Sequence, residues 1–539
     1  MTADPLKSAV EAISKNKSYD VVIVCTTDDY QASYWMDRLS RGLFAKEDSS
    51  SSEGSSVFPM VLAVSEDWSA GGAGNGLGTL YAYQKACKLA LKLHEVDIAD
   101  LLNQGKISAA LYHTAGKGTR LAPLPASENN NKPGVKLPVC HEVDGESSPL
   151  TVLEAVVRQT GLYAPSRPGR LSAYWGDQVF IPSSSFEYKP THHVDILCAL
   201  GESAPTPEEW TERGLDKYGV IAVMPSGGAA QVEKVDHATA VKMLATLGEI
   251  KRVGPSLGSF SVSSDILNAL CEEFSAELSS KTGKLDTDPH FWMPLTLPEK
   301  EYISLMGQKG VDAETASSHH QRMAVMKEKF EKGASSDLGM FGAVDVGDKA
   351  CWWDYGQLKL YSKNNIKLIE KDENADLLRQ FLGVSSRQMN STLGESISVC
   401  SDSTIMSCNI KSGKISSSVL CCVSSPSVEA DGAIVVNCTA KKIVAPKGSI
   451  LYNIVDESDE GIVVGEGDVR VSVMNENGND MVVKSKLSVC GGHSWKSIVE
   501  DNSMTFEAIM IQNSGTDIGA IEKVRKDLYK KTSSSFMED

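Results

Sequence analysis

Buried-strand and helical patterns alternate through the first two thirds of the chain. Residues 20–25 form a β-branched run that predicts a buried strand, and residues 29–43 have the apolar spacing of an amphipathic helix. A second strand is predicted over 57–64. A glycine-rich turn at 71–79 then leads into a predicted helix over about 80–93.

The alternation continues to about residue 365. Strands are predicted over 107–113 and 170–175, and residues 151–159 place their apolar side chains on one helical face. Strands that alternate with helices and end in glycine-rich turns predict an α/β fold with a doubly wound, mixed and mostly parallel sheet, which binds ligands at the carboxyl ends of its strands. Residues 49–56, nearly all serine, predict a flexible surface insertion.

Beyond about residue 391 the pattern changes to short β-branched pieces between turn residues, without a helical period. These pieces lie at 403–406, 414–416, 418–423, 432–436, 442–444 and 448–452. They predict a C-terminal β-helix, or β-solenoid, with one short strand per side, and a β-sandwich is the alternative. The expected organisation is therefore one α/β domain in two parts, 1–105 and 106–385, followed by a β-helix domain at 386–539.

Composition narrows the possible partners. The chain has 539 residues, enough for about three or four units of ordinary size. It carries 53 basic and 70 acidic residues, a net charge of −17, so we expect no nucleic-acid partner. Anionic small substrates would need local arginine, lysine and a divalent cation to be held in this unfavourable field.

The cysteines and the amino end indicate a reducing compartment. The twelve cysteines are scattered without paired metal spacing, and the closest pair, Cys421 and Cys422, lies in an apolar run. They are expected to be buried thiols. The amino end lacks an apolar signal core and no run is long enough to span a bilayer, so we expect a cytoplasmic protein with no membrane partner.

The glycine pair after the strand at 107–113 predicts a phosphate cradle. Gly116 and Gly118 lack a Cβ, so the backbone can turn sharply and present its amide groups to a triphosphate. Arg120 and Lys132 supply positive charge nearby. A structural loop with a surface arginine is the alternative, and a Walker-type loop is excluded because no Lys-Ser or Lys-Thr follows at the required spacing.

The order Gly-x-Gly-Thr-Arg-Leu-x-Pro-Leu, followed by Lys-Pro, resembles the signature of the sugar-1-phosphate nucleotidyltransferases, or NDP-sugar pyrophosphorylases. The resemblance implies a nucleotidyltransferase sheet of the GT-A-like type. It implies that a sugar-1-phosphate oxygen attacks the α-phosphorus of a nucleoside triphosphate in line and releases pyrophosphate, with Mg²⁺ as cofactor. Arg120 and Lys132 would act in catalysis, and Gly116, Gly118 and Thr119 would bind the nucleotide.

Two carboxylates are candidates for the Mg²⁺ site. Asp177 follows a strand directly, and oxygen ligands suit this hard cation, although Gly-Asp is also a common turn cap. The family resemblance implies that Asp177 binds the metal. Residues 351–361 resemble the family's W-x-D-x-G segment, which implies that Asp354 is the second ligand. Asp345 is the rival candidate, and either residue could instead be a capping residue.

A strand pair ending at Glu233 and Lys234 resembles the family's sugar-phosphate segment. Glu233 would accept hydrogen bonds from sugar hydroxyls, and Lys234 would hold the sugar phosphate. Val235 replaces the usual proline, and a solvated Glu-Lys pair is the alternative. Residues 257–262 resemble the sugar-binding loop before a strand, and the aromatic-rich residues 286–294 are expected to line the sugar side.

The glycine-rich turn with Gly74, Asn75, Gly76 and Thr79 resembles the family's base-reading turn. In ordinary members this turn follows the phosphate cradle, whereas here it precedes it. We infer a circular permutation in which the chain enters the sheet at the base-reading module. This layout is most similar to the fucose-1-phosphate guanylyltransferase and fucokinase–pyrophosphorylase proteins. The layout favours GTP with fucose-1-phosphate, and the regular cradle favours UTP with a hexose-1-phosphate.

Other functions remain open at this stage. The chain could be a catalytically inactive, pyrophosphorylase-like regulatory or binding subunit, although every charged position of the motif is present. The tail could hold a second activity, but His493 is its single histidine and a lone histidine is more often structural. A role of the C-terminal domain in homo-oligomer formation is the preferred expectation for the tail.

Overall fold

The computed structural model describes residues 4–15, 18–45, 57–68, 71–203, 205–212, 214–245, 248–333 and 337–537. The predicted serine-rich insertion at 49–56 lies outside these residues. The strands before residue 386 are β1 (Val21–Thr26), β2 (Met60–Ser65), β3 (Ala109–His113), β4 (Lys136–Val143), β5 (Glu146–Thr151), β6 (Arg170–Trp175), β7 (Gln178–Ile181), β8 (His192–Cys198), β9 (Gly219–Val223), β10 (Ala229–Glu233), β11 (Arg252–Ser263), β12 (Gly339–Asp345) and β13 (Cys351–Asp354).

Helices cover these strands. They are α1 (Pro5–Ile13), α2 (Asp29–Arg41), α3 (Gly74–His94), α4 (Ile98–Asn103), α5 (Leu124–Ser127), α6 (Val152–Thr160), α7 (Pro207–Glu212), α8 (His237–Leu244), α9 (Ser264–Glu273), α10 (Ser275–Ser280), α11 (Met293–Thr296), α12 (Glu299–Gln308), α13 (Ala313–Gly333), α14 (Leu358–Ile366) and α15 (Glu373–Leu382).

The main sheet has the strand order β10-β9-β11-β6-β3-β1-β2, with β8 beside β11 and β12 beside β8. The strands β2, β1, β3 and β6 are parallel, and β11 runs antiparallel to β6, β8 and β9. Two antiparallel two-stranded pairs, β4 with β5 and β7 with β13, lie outside this sheet. The predicted α/β class with mixed, largely parallel sheets is confirmed.

The central strands are continuous apolar runs because both faces of the sheet are covered. In β1, Val22 and Val24 belong to the core on one face, and Val21, Ile23 and Cys25 belong to the core on the other. All six residues of β1 are buried. Parallel strands with helices on both faces need apolar side chains at every position, which is why this segment shows no polar alternation.

A buried ion pair anchors α6 beside the sheet. The Glu154 side chain accepts a hydrogen bond from Thr151 N at 2.8 Å, and Glu154 N donates to Thr151 Oγ1 at 3.2 Å, which forms a capping box at the start of α6. Glu154 also accepts from Arg38 Nε at 2.8 Å and from Arg38 Nη2 at 3.1 Å. Burial opposes ionisation of Glu154, but Arg38 and His141 hold its pKa well below the usual range.

A second, largely parallel sheet follows, as the short β-branched pieces predicted. Its strands are β14 (Gln388–Met389), β15 (Thr392–Val399), β16 (Thr404–Met406), β17 (Asn409–Ser416), β18 (Val419–Asp431), β19 (Ile434–Thr439), β20 (Lys442–Ala445), β21 (Ile450–Tyr452), β22 (Ile462–Val463), β23 (Asp468–Met474) and β24 (Asp480–Lys486). In register across neighbouring strands, Ile405 lies beside Leu420, Leu420 beside Val435 and Val435 beside Leu451. These four side chains share one buried core.

The expectation that the tail lacks helices is wrong. Helices α16 (Phe506–Gln512) and α17 (Ile518–Met537) follow the second sheet, and α17 packs against α2 and β18. The pattern was missed because α17 is mostly polar, and its buried residues include Arg525 and Thr532 beside Ile518 and Ile521. Among the described residues, none of the helices combines the length and apolar character that a membrane crossing requires.

A buried polar network joins the second sheet to the first part of the chain. Glu128 Oε1 lies 2.8 Å from Lys136 Nζ. The same carboxylate oxygen accepts hydrogen bonds from Tyr452 Oη at 2.5 Å and from Asn453 Nδ2 at 2.8 Å. The apolar core is also continuous across this boundary, because Tyr452 belongs to the same buried cluster as the residues of α6. The two regions therefore pack together through both polar and apolar contacts.

Candidate functional site

The cradle and the Gly-Asp segment leave the same edge of the sheet. Strands β3 and β6 are parallel neighbours, with His113 opposite Trp175 in the register. Gly176 N donates a hydrogen bond to His113 O at 3.2 Å. The segments that follow the two strands therefore start side by side, as the alternating sequence pattern predicted.

The predicted cradle is a tight turn with an open side. Gly118 has a φ of +60°, and a Cβ there would lie 3.0 Å from the Pro125 ring and 3.3 Å from Lys132 Cγ, so glycine is required. A Cβ at Gly116 would meet no atom within 4 Å. A 3₁₀ turn, Thr119–Leu121, follows. The backbone at Gly116 is thus open to a ligand, which a phosphate cradle requires.

Three of the predicted charged groups converge on one point next to Gly356. A Cβ at Gly356 would lie 2.7 Å from Asp177 Oδ2, 3.0 Å from Asp354 Oδ1 and 3.4 Å from Lys132 Nζ. Lys132 and Asp177 form an ion pair, and their side chains are 20% and 18% exposed. Gly356 N donates to Asp354 Oδ1 at 2.6 Å. The absence of a side chain at Gly356 leaves room for this cluster.

The charge of Arg120 acts on the same cluster through Asp354. Burial raises the pKa of Asp354, and the negative charge of Asp177 raises it further. The charges of Lys132 and Arg120 lower this pKa and only partly offset the rise. Arg120 itself is exposed. Two carboxylates and two basic side chains therefore share one electrostatic environment.

The pairing of β7 with β13 explains why residues so far apart in sequence meet. Gln178 lies opposite Asp354 in this antiparallel pair, and Tyr355 N donates to Asp177 O at 3.0 Å. Asp345, the rival candidate, is engaged elsewhere. It accepts from Arg252 Nη2 at 2.6 Å, from Leu200 N at 3.1 Å and from Gly347 N at 2.9 Å. Of the two alternatives, the structure brings Asp354 to Asp177 and gives Asp345 a structural role.

A cavity of about 300 Å³ opens beside this cluster at the ends of β3 and β6. Its lining combines the start of the cradle with the two charged segments: His113, Thr114, Ala115, Lys132, Pro133, Trp175, Gly176, Asp177 and Gln178. Burial lowers the pKa of His113 to about 4, so this imidazole is neutral at physiological pH. The cavity is therefore lined by one carboxylate, one ammonium group and otherwise uncharged groups.

The glycine-rich turn has partners within the protein. Asn75 N donates to Asp286 Oδ1 at 3.0 Å, and Gly76 N donates to Leu285 O at 2.9 Å. A Cβ at Gly74 would lie 2.5 Å from Leu285 O, so this glycine permits close packing. The predicted helix start near residue 80 is wrong: α3 begins at Gly74, because the turn is itself helical and packs on the 285–286 segment.

Thr79 is the member of this turn that reaches the cavity wall. It is buried, and its Oγ1 lies 2.8 Å from Nε2 of His113, which lines the cavity. The amides of Asn75 and Gly76 are occupied, so any contact of this turn with a nucleotide base would need other groups. The assignment of these four residues to base recognition stays a prediction.

Glu66 is a candidate functional carboxylate that the sequence reasoning missed. It follows β2 directly, and its Oε1 accepts a hydrogen bond from Ala73 N at 3.0 Å. Its Oε2 lies 2.7 Å from where a Cβ at Gly78 would be, so the carboxylate faces α3. Burial raises the pKa of Glu66. A carboxylate directly after a buried parallel strand was the signal used for Asp177, and it applied to Glu66 as well.

The predicted sugar-phosphate residues form a separate charged group. Lys234 Nζ lies 2.5 Å from Glu233 Oε1, and Lys309 Nζ lies 3.3 Å from Glu233 Oε2. Lys234 is 58% exposed at its side chain, whereas Glu233 is 11% exposed. No contact joins this group directly to Asp177 or Asp354 among the described residues. The ring contact of Tyr218 with Trp352, whose centroids are 6.0 Å apart, links the two neighbourhoods.

The predicted sugar-binding loop at 257–262 lies inside a strand instead. These residues belong to β11, where the pairing with β8 shifts register between Ser256 and Phe260. Gly258 has a φ of +75° in this irregularity and packs against the Trp175 indole. The expectation of a loop before the strand is wrong, because a bulge supplies the bend without ending the strand.

Asp288, in the aromatic-rich segment 286–294, provides a pH-dependent test of this region. Burial raises the pKa of Asp288 to about 7, and the negative charge of Glu233 adds to the shift. The folded protein therefore holds this proton more tightly than the unfolded chain, so ionisation costs stability as pH rises from about 4 to about 7.

We expect Asp288→Asn to raise the melting temperature relative to the wild type, by an amount that grows from about pH 5 to about pH 7 and then levels off. The neutral amide cannot ionise, which is the physical reason. Thermal unfolding of both proteins across this pH range measures the effect. A difference in melting temperature that stays constant with pH would contradict it.

The tail of the chain also reaches the cradle. A Cβ at Gly492 would lie 3.5 Å from Arg120 Cγ, and Gly491 packs against the Thr119 carbonyl. Asn130 Nδ2 donates to Met510 O at 2.7 Å, just before Lys132 in the chain. The C-terminal region therefore supports the loops that carry Arg120 and Lys132.

No family model matches the sequence, and no curated protein matches it.

Proposed function

We propose that this protein is a sugar-1-phosphate nucleotidyltransferase, which converts a nucleoside triphosphate and a sugar-1-phosphate into an NDP-sugar and pyrophosphate. The observation that carries the proposal is the meeting of Asp177, Asp354 and Lys132 around Gly356, beside the open turn at Gly116. These groups come from segments up to 222 residues apart, and the pairing of β7 with β13 brings Asp354 to Asp177. Charge neutralisation and positioning are what phosphoryl-type transfer needs from a protein.

In this mechanism the chain supplies no covalent nucleophile. The turn at Gly116 and Gly118 binds the β- and γ-phosphates that depart as pyrophosphate, and Arg120 neutralises their charge. Lys132 leaves its ion pair with Asp177 to contact the α-phosphate. A sugar-1-phosphate oxygen then attacks the α-phosphorus in line, and the bond to the bridging oxygen of the β-phosphate breaks.

The residues present fit a Mg²⁺ ion. Asp177 Oδ2 and Asp354 Oδ1 both face Gly356, and carboxylate oxygens are the ligands that this hard cation prefers. Burial raises the pKa of Asp354 and the negative charge of Asp177 adds to the rise, so a divalent cation held by the two carboxylates would favour their ionised forms. When bound, Mg²⁺ would offset the negative charge of the phosphates.

For the sugar side, we propose that Lys234 binds the sugar phosphate and that Glu233 accepts hydrogen bonds from sugar hydroxyls. Lys234 is the exposed partner of their ion pair, so its ammonium can turn toward a ligand at little cost. Lys309 lies 3.3 Å from Glu233 and would keep this carboxylate paired when Lys234 moves.

We also propose the finer architecture. The main sheet would be a GT-A-like nucleotidyltransferase sheet whose chain enters at β1 and β2, before the cradle strand β3. The order β2-β1-β3-β6 supports this circular permutation, because the two strands earliest in the chain lie beyond the cradle strand. The second sheet would wind as a β-helix. Residues with a left-handed backbone conformation recur every 15 or 16 residues, at Ser407, Cys422, Asn437 and Asn453. Residues at the corners of stacked β-helix turns would recur in this way.

Arg120→Ala tests the role of the cradle arginine. We expect a fall in kcat and in kcat/KM of on the order of 10²-fold, because the guanidinium acts mainly on charge that develops as pyrophosphate departs. Steady-state kinetics measure this, and Lys117→Ala, which removes an exposed charge from the same turn, is the matched control. A rise in KM at unchanged kcat would show that Arg120 contributes only uniform binding.

Released pyrophosphate, measured for the four common nucleoside triphosphates against fucose-, glucose-, galactose- and mannose-1-phosphate, tests the proposed function itself. We expect release only when both substrates and Mg²⁺ are present, with one strongly preferred pair. GTP with fucose-1-phosphate and UTP with a hexose-1-phosphate are the two leading pairs. Absence of release with every pair would favour an inactive binding subunit, and calorimetric titration with the same ligands would then show whether binding persists.

A further inference from the structure

Three cysteines from distant parts of the chain meet at the junction of the two sheets. Cys140 Sγ lies 3.2 Å from Cys421 Sγ and 3.3 Å from Cys422 Sγ. All three sulfur atoms lie within 4.8 Å of one another. Cys140 is on β4 in the first part of the chain, and the other two are on β18 in the second sheet. The proposed catalytic site does not use this cluster.

The backbone turns at Cys422, one of the recurring left-handed positions of the second sheet, and this turn lets two consecutive cysteines face the same place. Successive side chains of a strand normally alternate between its faces. Cys422 has a φ of +52°, which interrupts this alternation within β18. A left-handed conformation costs free energy for a residue with a Cβ. It places both Sγ atoms, from Cys421 and from Cys422, against Cys140.

We propose that Cys140, Cys421 and Cys422 bind one thiophilic metal ion, with Zn²⁺ as the ion to test, and that this ion joins the first part of the chain to the second sheet. Thiolate sulfur is the ligand that soft and borderline metal ions select over oxygen. Three cysteine sulfur atoms from two separate elements, all within 4.8 Å of one another, offer more ligands at one place than a disulfide pair requires.

The geometry is close to that of a thiolate site. Zn–S bonds of about 2.3 Å in a tetrahedron place the sulfur atoms about 3.8 Å apart. The sulfur atoms at 3.2 and 3.3 Å would therefore separate by about half an ångström on metal binding. The hydroxyls of Ser147 and Ser407 lie beside the Cys140 sulfur, so a hydroxyl or a water could take the fourth position.

The cluster also has an access route. Cys422 lines a cleft of about 640 Å³ between the β4–β5 hairpin and helix α17. Ser147 lines the same cleft, next to the Cys140 sulfur. An ion can therefore reach the sulfur atoms without unfolding either sheet, and the fourth coordination position would face this cleft.

The test uses the full-length protein, reduced and freed of metal with a chelator under oxygen-free conditions, and titrated with Zn²⁺ or Co²⁺ alone. We expect one equivalent of Zn²⁺ to bind and to raise the melting temperature, because metal that binds only the folded state stabilises it. Co²⁺ should give the intense near-ultraviolet band of thiolate-to-cobalt charge transfer. Absence of this band, or a reduced protein that binds no Zn²⁺, would overturn the proposal.

Cys140→Ser and Cys422→Ser should each weaken Zn²⁺ binding by at least about tenfold and reduce the cobalt band. Cys438→Ser, which changes a buried cysteine on β19 outside the cluster, is the matched control and should bind as the wild type does. Circular dichroism of the metal-free variants checks folding. Because two cluster variants are used, the test still holds if one of them does not fold. Wild-type affinity in both cluster variants would refute the assignment. These readouts do not involve nucleotide turnover.

Discussion

Asp177→Ala is expected to abolish turnover while the protein stays folded. The Asp177 carboxylate pairs with Lys132 and shares the Gly356 pocket with Asp354, so its removal takes away a proposed Mg²⁺ ligand and the partner of Lys132 together. We expect kcat to fall by at least about 10²–10³-fold, because the lost interaction acts on charge in the transition state. The Asp177 and Lys132 side chains are 18% and 20% exposed, so breaking their pair should cost less stability than breaking a fully buried pair, and the protein should stay folded.

A pyrophosphate-release assay and thermal unfolding of the same preparations measure the two expectations. Asp345→Ala is the informative control, because this carboxylate caps two backbone amides and pairs with Arg252 away from the site. It should lower the melting temperature while the remaining folded protein keeps its kcat. Near-wild-type rates for Asp177→Ala, or an equal loss of kcat in both variants, would remove Asp177 from the proposed site.

Glu154→Ala is expected to give the largest loss of stability. Glu154 is fully buried and accepts from Arg38 Nε and Nη2 and from the Thr151 cap. Its removal leaves the Arg38 guanidinium buried without its carboxylate and removes the side-chain hydrogen bonds of Glu154 at the start of α6. Breaking such a buried pair costs about 3–5 kcal/mol of unfolding free energy. Because Leu153 and Pro133 both contact the Gly176 region, the site should loosen as well.

Denaturant unfolding of Glu154→Ala against the wild type measures this cost. Arg41→Ala is the matched control, since Arg41 lies on the same helix as Arg38 and pairs with Asp144 at the surface, where its side chain is 51% exposed. Exposed pairs contribute about 0–1 kcal/mol, so this variant should unfold nearly as the wild type does. Similar losses of stability in both variants would show that burial of Glu154 is not the source of the effect.

The parts of the fold set by local pattern were predictable from the sequence. The run at 170–175 coincides with β6, because a continuous apolar run between turn residues has few other structures available. The edge position of Asp177 followed from the rule that parallel strands present their carboxyl ends together. Helix α17 was not predictable in this way, since two of its four buried residues are polar and the helix has no continuous apolar stripe.

Features that depend on contacts distant in sequence escaped the sequence reasoning. Choosing between Asp345 and Asp354 required the pairing of β7 with β13, which no local pattern contains. The cysteine cluster escaped a search for metal spacing because Cys140 and Cys421 are 281 residues apart. The packing of Gly74 and Gly76 against Leu285 was likewise not visible in the glycine-rich turn. In each case the sequence showed the type of residue but not the distant residue that it contacts.

The central claim is that Asp177 and Asp354 together hold one divalent cation against a bound nucleotide. The most direct test is to measure the binding of Mn²⁺ by electron paramagnetic resonance in the presence of GTP or UTP. The account predicts that Asp177→Ala and Asp354→Ala each abolish nucleotide-dependent Mn²⁺ binding and that the double variant loses no more than either one. Mn²⁺ and nucleotide that bind both single variants as they bind the wild type would contradict it.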